Sequence, residues 1–584
     1  MSAPPPAEHR FPKASFLISL VVLAAAPIGH AALVAGPSVT VLLRPDKPNA
    51  LNHIPYVDVT ITIEGPDLPA GQPLLSMPLV VSNVETVATT IEQLSASDAK
   101  GPLELTFKDD PEGGPAQYRH WQAPRATAGE LVVHYRAPIS DVLAPRGAAP
   151  PLELKSDSGA FSGEGDTFLL LPESELPWKF AIHWDLSRLN PHAIGVSTFG
   201  KGDVSPTSAD LHNLKASFFM AGDVHIYPET PPAAGFFAAW YGNAPFDLLK
   251  MVRSEQKLYE FYETFFKRPS TAPYGVFLRE NLVNAGGGIE LGKSAFVATF
   301  GAKTDPDELT ITLAHEMLHT FVGSLDTPPG MESSWYSEGL AVYYARLLAL
   351  RAGQITPAQF LADLNSTAGR YYTDALIHTP NHEIGPNFWI DTRIRVLPYD
   401  RGSMYFAVVD GELRATSGGK VKLDDLLLAM LDRRKHNLPL DQADWVEQLK
   451  THLGEKGKDE FEAMLGGAIQ LPEPQGFGPC FTRITKPMRR YQLGFDPKVL
   501  VEHKRIVRGL IPGSAAELAG IRNGDEITKP VPQDMLQGQQ DGILTLELLR
   551  DGKPLKISYL PRAETVDAYQ WARTGNLPDN ACAY

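Results

Sequence analysis

The sequence predicts a multidomain α+β protein, and three observations carry that prediction. Residues 37–227 alternate apolar and polar side chains in short segments between Gly- and Pro-rich turns, the pattern of half-buried strands. Residues 236–467 change to a helical period, and the last hundred or so return to short strands after a Pro- and Gly-rich stretch. At 584 residues the chain also exceeds one ordinary core, so three or four domains are expected.

The chain opens with Arg10 and Lys13 ahead of an apolar run from Phe16 to Ala26, followed by the small-residue site Gly29-His30-Ala31. Residues 1–31 read as a signal peptide, which implies export to a periplasm or beyond. The alternative is an uncleaved membrane anchor, because apolar character returns at Ala31 to Ala35. Only in that case is a membrane partner expected. A formal charge of -15 and a pI near 5.6 argue against nucleic acid or an anionic membrane surface as the main partner.

In the region 37–227, Tyr56 to Ile63 alternates with a period of two, and strands are expected again at Leu79 to Val84, Leu103 to Phe107 and Leu131 to Tyr135. This spacing suggests a β-sandwich, with Pro145 to Pro151 as a long loop inside it. Tyr227-Pro228-Glu229-Thr230-Pro231-Pro232 marks the boundary to the next domain.

The helical region holds the chemistry. His315, Glu316, Met317, Leu318 and His319 form a His-Glu-x-x-His unit, and after eighteen intervening residues comes Glu338. Asp305 is an N-cap, Pro306 suits the first helical position, and Glu308 completes a capping-box pattern. Leu309, Leu313, Met317 and Phe321 recur at four-residue spacing, as a buried helix face requires. Both imidazoles then project from one face and can hold one zinc ion per chain with Glu338 as third ligand. Glu316 lies about 100° round the helix, placed to take a proton from the attacking water. Glu338 falls near the first turn of a second helix ending at Arg351, with Gly353 as its stop signal.

A linker spans 468–486, with Pro472, Pro474, Gly476, Gly478 and Pro479. Beyond it, Leu493-Gly494-Phe495, Pro512-Gly513-Ser514-Ala515-Ala516 and Asn523-Gly524-Asp525 follow in an order that resembles a PDZ domain over 487–562. Strands at Leu544 to Leu549 and Leu555 to Leu560 flank the hairpin signal Asp551-Gly552. Residues 563–584 are read as a tail. Cys480 and Cys582, the only cysteines, can pair in an oxidising compartment or stay as two thiols.

The zinc motif and its continuation resemble the gluzincin aminopeptidases. His319-Thr320-Phe321-Val322-Gly323-Ser324-Leu325 and Trp335 to Ala341 carry the likeness, and the domain order is most similar to the PDZ-bearing glycyl aminopeptidase branch. The resemblance implies a mainly helical, thermolysin-like peptidase domain. It also implies that Glu290, in Gly287-Gly288-Ile289-Glu290, binds a substrate's α-ammonium, with Gly287 and Gly288 in the same substrate-binding turn. The family usually follows this Glu with His or Asn, whereas Leu291 stands here. Tyr399 would donate to the oxyanion, and Leu493-Gly494-Phe495 would form a carboxylate-binding loop for a C-terminal peptide. The expected function is an exported zinc aminopeptidase acting on peptides, with glycine or alanine preferred. A zinc endopeptidase on the same scaffold, or a noncatalytic PDZ peptide-binding protein with a vestigial site, are the alternatives.

Overall fold

Strand Ser38–Pro45 buries Val39, Val41 and Leu43 on one face, and its antiparallel neighbour Tyr56–Glu64 buries Val57, Val59 and Ile61 against them. Apolar residues at every second position drive both strands to cover the same core. The computed structural model describes residues 37–65, 68–111, 117–140, 149–174, 177–281, 285–292, 294–531, 534–575 and 577–584. The expected signal peptide, 1–31, lies outside them. The two strands sit in a seven-stranded sheet with Pro177–Trp184 and Leu131–Pro138 on their outer sides, over a core that includes Tyr135, Phe168, Leu170 and Phe219.

Two expected strands are divided. Leu79 to Val84 becomes a small hairpin, Val80–Val81 with Val84–Glu85, because Ser82 and Asn83 turn the chain at positive φ. Leu103 to Phe107 splits between two sheets, Gly101–Leu103 in one and Thr106–Asp109 in another. Strand His225–Tyr227, read with the N-terminal region, pairs instead with Gly235–Trp240.

That pairing begins a five-stranded sheet in the order His225–Tyr227, Gly235–Trp240, Pro273–Glu280, Ala295–Phe300, Gly288–Leu291. The three inner strands are parallel and apolar at nearly every position, as burial on both faces requires. One face supplies Phe236, Ala238, Val276, Leu278, Phe296 and Ala298 to the helical core. The other supplies Phe237, Ala239, Phe277 and Val297 to a layer shared with the N-terminal β region. Over the first face lie helices Leu248–Phe265, Pro306–Val322, Ser334–Arg351, Pro357–Tyr372 and Leu397–Ser417.

The chain is thus a multidomain α+β protein. Its C-terminal part has a separate core around Leu493, Phe495, Val507, Ile521, Leu546, Leu548 and Tyr559. The hairpin at Asp551-Gly552 joins strands Leu544–Arg550 and Lys553–Tyr559. Residues expected as linker and tail contain more structure than those words suggest. Phe481–Tyr491 and Arg562–Arg573 form a long antiparallel ribbon docked on helix Pro357–Tyr372. Asn365 exchanges two hydrogen bonds with the Trp571 backbone, at 2.7 and 2.8 Å, and Phe360 stacks on Phe481. Cys480 and Cys582 are joined by a disulfide, with Cα atoms 5.2 Å apart, and both are buried. Among the described residues, no helix is long and apolar enough to cross a membrane.

Candidate metal centre

Helix Pro306–Val322 starts at Asp305, whose carboxylate accepts from the Asp307 N–H at 2.8 Å, and it buries Leu309, Leu313, Met317 and Phe321 as their spacing requires. At its other end the last carbonyls meet two arginines. Arg434 donates to Val322 O at 3.2 Å and to Ser324 O, and Arg268 donates to Thr320 O. Guanidinium groups there satisfy orphan carbonyls and complement the helix dipole. Gly323, at φ 65°, leaves room for Arg434, whose Nη1 would lie 2.1 Å from an added Cβ.

His315, Glu316 and His319 occupy this anchored helix, and Glu338 comes from the neighbouring helix Ser334–Arg351. Nε2 of His315 lies 3.1 Å from Nε2 of His319, and Glu338 Oε2 lies 3.2 and 3.3 Å from them. Three points so spaced share a common neighbour point about 2.0 to 2.1 Å from each, the usual distance for zinc with nitrogen and oxygen ligands. Two imidazole lone pairs and a carboxylate converging in a buried place repel one another unless a cation or proton lies between them. The donor set therefore fits zinc. Burial disfavours a charged His319 ring, yet the Glu338 charge and hydrogen bond push it up to about 10. Burial would raise Glu338, but the two histidines hold its carboxyl well below the usual range.

Glu316 is 7% exposed and faces the edge strand Gly288–Leu291. Its carboxylate accepts the backbone N–H of Glu290, and a Cβ on Gly288 would stand 2.7 Å from its Cγ. Only glycine lets the strand come so close. Glu290 is near enough to act electrostatically on both His319 and Tyr274. Gly287 is exposed, and its carbonyl accepts from the Thr299 N–H at 2.9 Å. Leu291 turns to the opposite face of the strand, where it is 2% exposed among apolar side chains. It contributes nothing polar to the site.

Tyr399 lies in the first turn of helix Leu397–Ser417, its ring stacked on His315 with centroids 5.9 Å apart. The turn is fixed by its neighbours. Buried Asp400 accepts from Arg370 at 2.7 Å, and Arg401 donates to Thr379 O at 2.7 Å. Helices Ser334–Arg351 and Leu397–Ser417 cross where Gly339 and Gly402 touch, since a Cβ on Gly402 would lie 2.7 Å from Trp335 O and 2.8 Å from Gly339 Cα. Glu338 and Tyr399 thus come from two backbones in direct contact. Sequence reasoning missed this contact; two glycines inside helices, each costing stability on propensity grounds, were the available signal. It also missed Arg268 and Arg434, whose partners are distant in sequence.

His315, His319, Glu338, Glu316, Glu290, Gly288 and Tyr399 therefore assemble around one place. Leu493, Gly494 and Phe495 do not join it. They belong to the C-terminal core, where Leu493 O accepts from Tyr559 Oη at 2.6 Å and Gly494, at φ 93°, packs on Ala516.

Residues 309–381 match a family model described as M61 glycyl aminopeptidase. Among solved structures, the chain is similar to an aminopeptidase N family protein from Idiomarina loihiensis, with a TM-score of 0.64 and 15% identity over 93% of this chain and 99% of that one. At that identity the likeness is one of fold. An M1 zinc metallopeptidase from Deinococcus radiodurans aligns with 75% of this chain and 96% of its own, at 14% identity and a TM-score of 0.42. No curated protein matches the chain.

Proposed function

We infer, from the premise that the chain is a zinc metallopeptidase of the gluzincin aminopeptidase type, that it is exported and removes N-terminal residues, glycine and alanine foremost, from peptides. The observation that carries the register is Glu290, a carboxylate held on the strand whose backbone bonds Glu316. An ammonium group paired with Glu290 places the first peptide bond beside Glu316 and Tyr399.

Bound by His315, His319 and Glu338, zinc supplies a Lewis acid that polarises the carbonyl and brings a water's pKa toward 7. Glu316 takes a proton from the attacking water and passes it to the leaving amine. Tyr399 donates its hydroxyl to the carbonyl oxygen as charge develops there, a contribution of about 2.7 to 4 kcal/mol for a preorganised donor. The edge of strand Gly288–Leu291 offers main-chain groups to an extended substrate.

Export is supported by the Cys480–Cys582 bond, since disulfides persist in oxidising compartments. The C-terminal unit is read as PDZ-like, and Leu493-Gly494-Phe495 as its loop for a peptide's terminal carboxylate. The turn at Gly494 and the closing hairpin support that reading.

A panel of aminoacyl reporter substrates, each with an N-acetylated control and run with and without a zinc chelator, tests the whole reading. Free-amine substrates are expected to be cleaved and acetylated ones spared, with activity lost to the chelator. Equal cleavage of both would favour the endopeptidase reading, and no chelator-sensitive hydrolysis the noncatalytic one. Glu316→Gln should keep stoichiometric zinc and lose about a hundredfold or more in kcat.

A further inference from the structure

Strand Gly288–Leu291 is short, lies at the edge of its sheet and hydrogen-bonds along one side to Ala295–Phe300. Its two faces do different things. Gly288 lies opposite Ala298 and Glu290 opposite Phe296, and those partners point into the core over the metal-ligand helix. Ile289 lies opposite Val297 and Leu291 opposite Ala295, and those partners point into the other layer. In that layer Leu291 shares a core with Val84, Leu152, Phe218 and Met220 of the N-terminal β region. Val84, itself 4% exposed, stands at the base of the hairpin turned by Ser82 and Asn83.

Motion of the edge strand perpendicular to the sheet is therefore limited from both sides. On one side Gly288 rests against Glu316 and the Glu290 N–H bonds it. On the other, Leu291 is buried in an apolar cluster that joins side chains of its own sheet to Val84, Leu152, Phe218 and Met220 of the N-terminal β region. A residue one position from Glu290, on the opposite face of a pleated strand, sets the height of the Glu290 carboxylate without touching substrate.

We propose that Leu291 is a positioning residue for Glu290, and that through it the N-terminal β region takes part in recognising the substrate's α-ammonium. The proposal rests on the aminopeptidase reading. It also gives a reason for an apolar residue where the resembled family carries His or Asn. Charge pairing depends steeply on geometry, and a displacement of about 1 Å can cost up to a hundredfold.

The test is steady-state kinetics on a free-amine alanyl reporter, with zinc content and circular dichroism measured for every variant. Leu291→Ala is expected to fold with full zinc and to raise KM about tenfold, with kcat changed less than about threefold. Leu291→Met should restore KM to within about twofold. In a Glu290→Ala background, adding Leu291→Ala should not raise KM further, because the group it positions is gone. A folded Leu291→Ala with wild-type KM overturns the proposal, as does an additive KM effect in the double variant. Should Leu291→Ala fail to fold, Val84→Ala loosens the same apolar cluster from the N-terminal β region, and its KM must rise in the same way or the proposal fails. If Glu290→Ala alone leaves KM unchanged, the aminopeptidase register itself is wrong and the positioning role falls with it.

Discussion

Glu316 and Glu338 are buried carboxylates beside the same two imidazoles, yet their surroundings pull them in opposite directions. Burial drives Glu316 up, with the histidines pulling it only partly back, whereas His319 and His315 hold Glu338 down against burial. Two neighbouring acids pushed apart in this way suit two roles, a proton carrier and a permanent anion. Glu316 was legible in the sequence because helix periodicity places it beside the two histidines, and Glu338 through its spacing after the His-Glu-x-x-His unit. The backbone bond from Glu290 to Glu316 was not, since it joins a strand and a helix that no local pattern relates. Glu255 makes a separate case. It is 1% exposed in the helical core, and burial raises it from 4.5 to about 8. Between those values the unfolded chain releases a proton that the folded chain keeps, so stability falls as pH rises through the window and levels off above it. Urea unfolding at about pH 5 and about pH 8 should show a slope on the order of 1.4 kcal/mol per pH unit from this group, absent in Glu255→Met. Identical slopes for both proteins would remove Glu255 as the source.

The contact of Gly339 with Gly402 at the crossing of helices Ser334–Arg351 and Leu397–Ser417 sets how near Glu338 and Tyr399 stand to each other. Gly402→Ala should push the helices apart, destabilise the protein by about 1 to 3 kcal/mol and lower kcat up to about a hundredfold while zinc stays bound. Wild-type kcat in a folded Gly402→Ala protein would show that the contact does not set the spacing of Glu338 and Tyr399. Ion pairs with one buried partner each support the same arrangement: Arg346 meets Asp363 at 2.7 Å, and Arg370 meets Asp400, so helix Pro357–Tyr372 is tied to both neighbours. Elements with a strong apolar period, such as Pro306–Val322 and Tyr56–Glu64, could be read directly from the sequence. The ribbon strands could not. Phe481–Tyr491 carries Thr482, Arg483, Lys486, Pro487, Arg489 and Arg490, a composition that describes a polar connector, and its pairing partner lies about seventy residues away by chain contour. What selects the strand is the surface of helix Pro357–Tyr372 beneath it.

At the scale of the molecule, the disulfide closes a loop of sequence separation 102 over the ribbon and the C-terminal unit. Chain entropy gives such a closure about 4.7 kcal/mol. Cys480→Ser is therefore expected to lower unfolding stability by several kcal/mol, and a stability unchanged by reduction would show that the bond does not form in solution. The change of regime along the chain was readable only in part: residues 236–300, read as helical, hold four strands whose sheet lies between the helical core and a layer shared with the N-terminal β region. The joints between the regions were not readable, since Leu291 and Val84 enter one apolar cluster through the fold alone. The ribbon also changes what the C-terminal unit is. Tyr491 faces Arg562 at the ribbon's far end, so residues 492–561 leave and return at neighbouring points of one stem. The unit is an insertion within the peptidase body rather than an appendage at its end. A truncation before Phe481 would strip Phe481, Ala568 and Trp571 from the helical core and uncover Phe360 and Leu364. Excision of 492–561 with a short turn in its place would leave that core covered, which makes the stem the natural cut for separating the two parts.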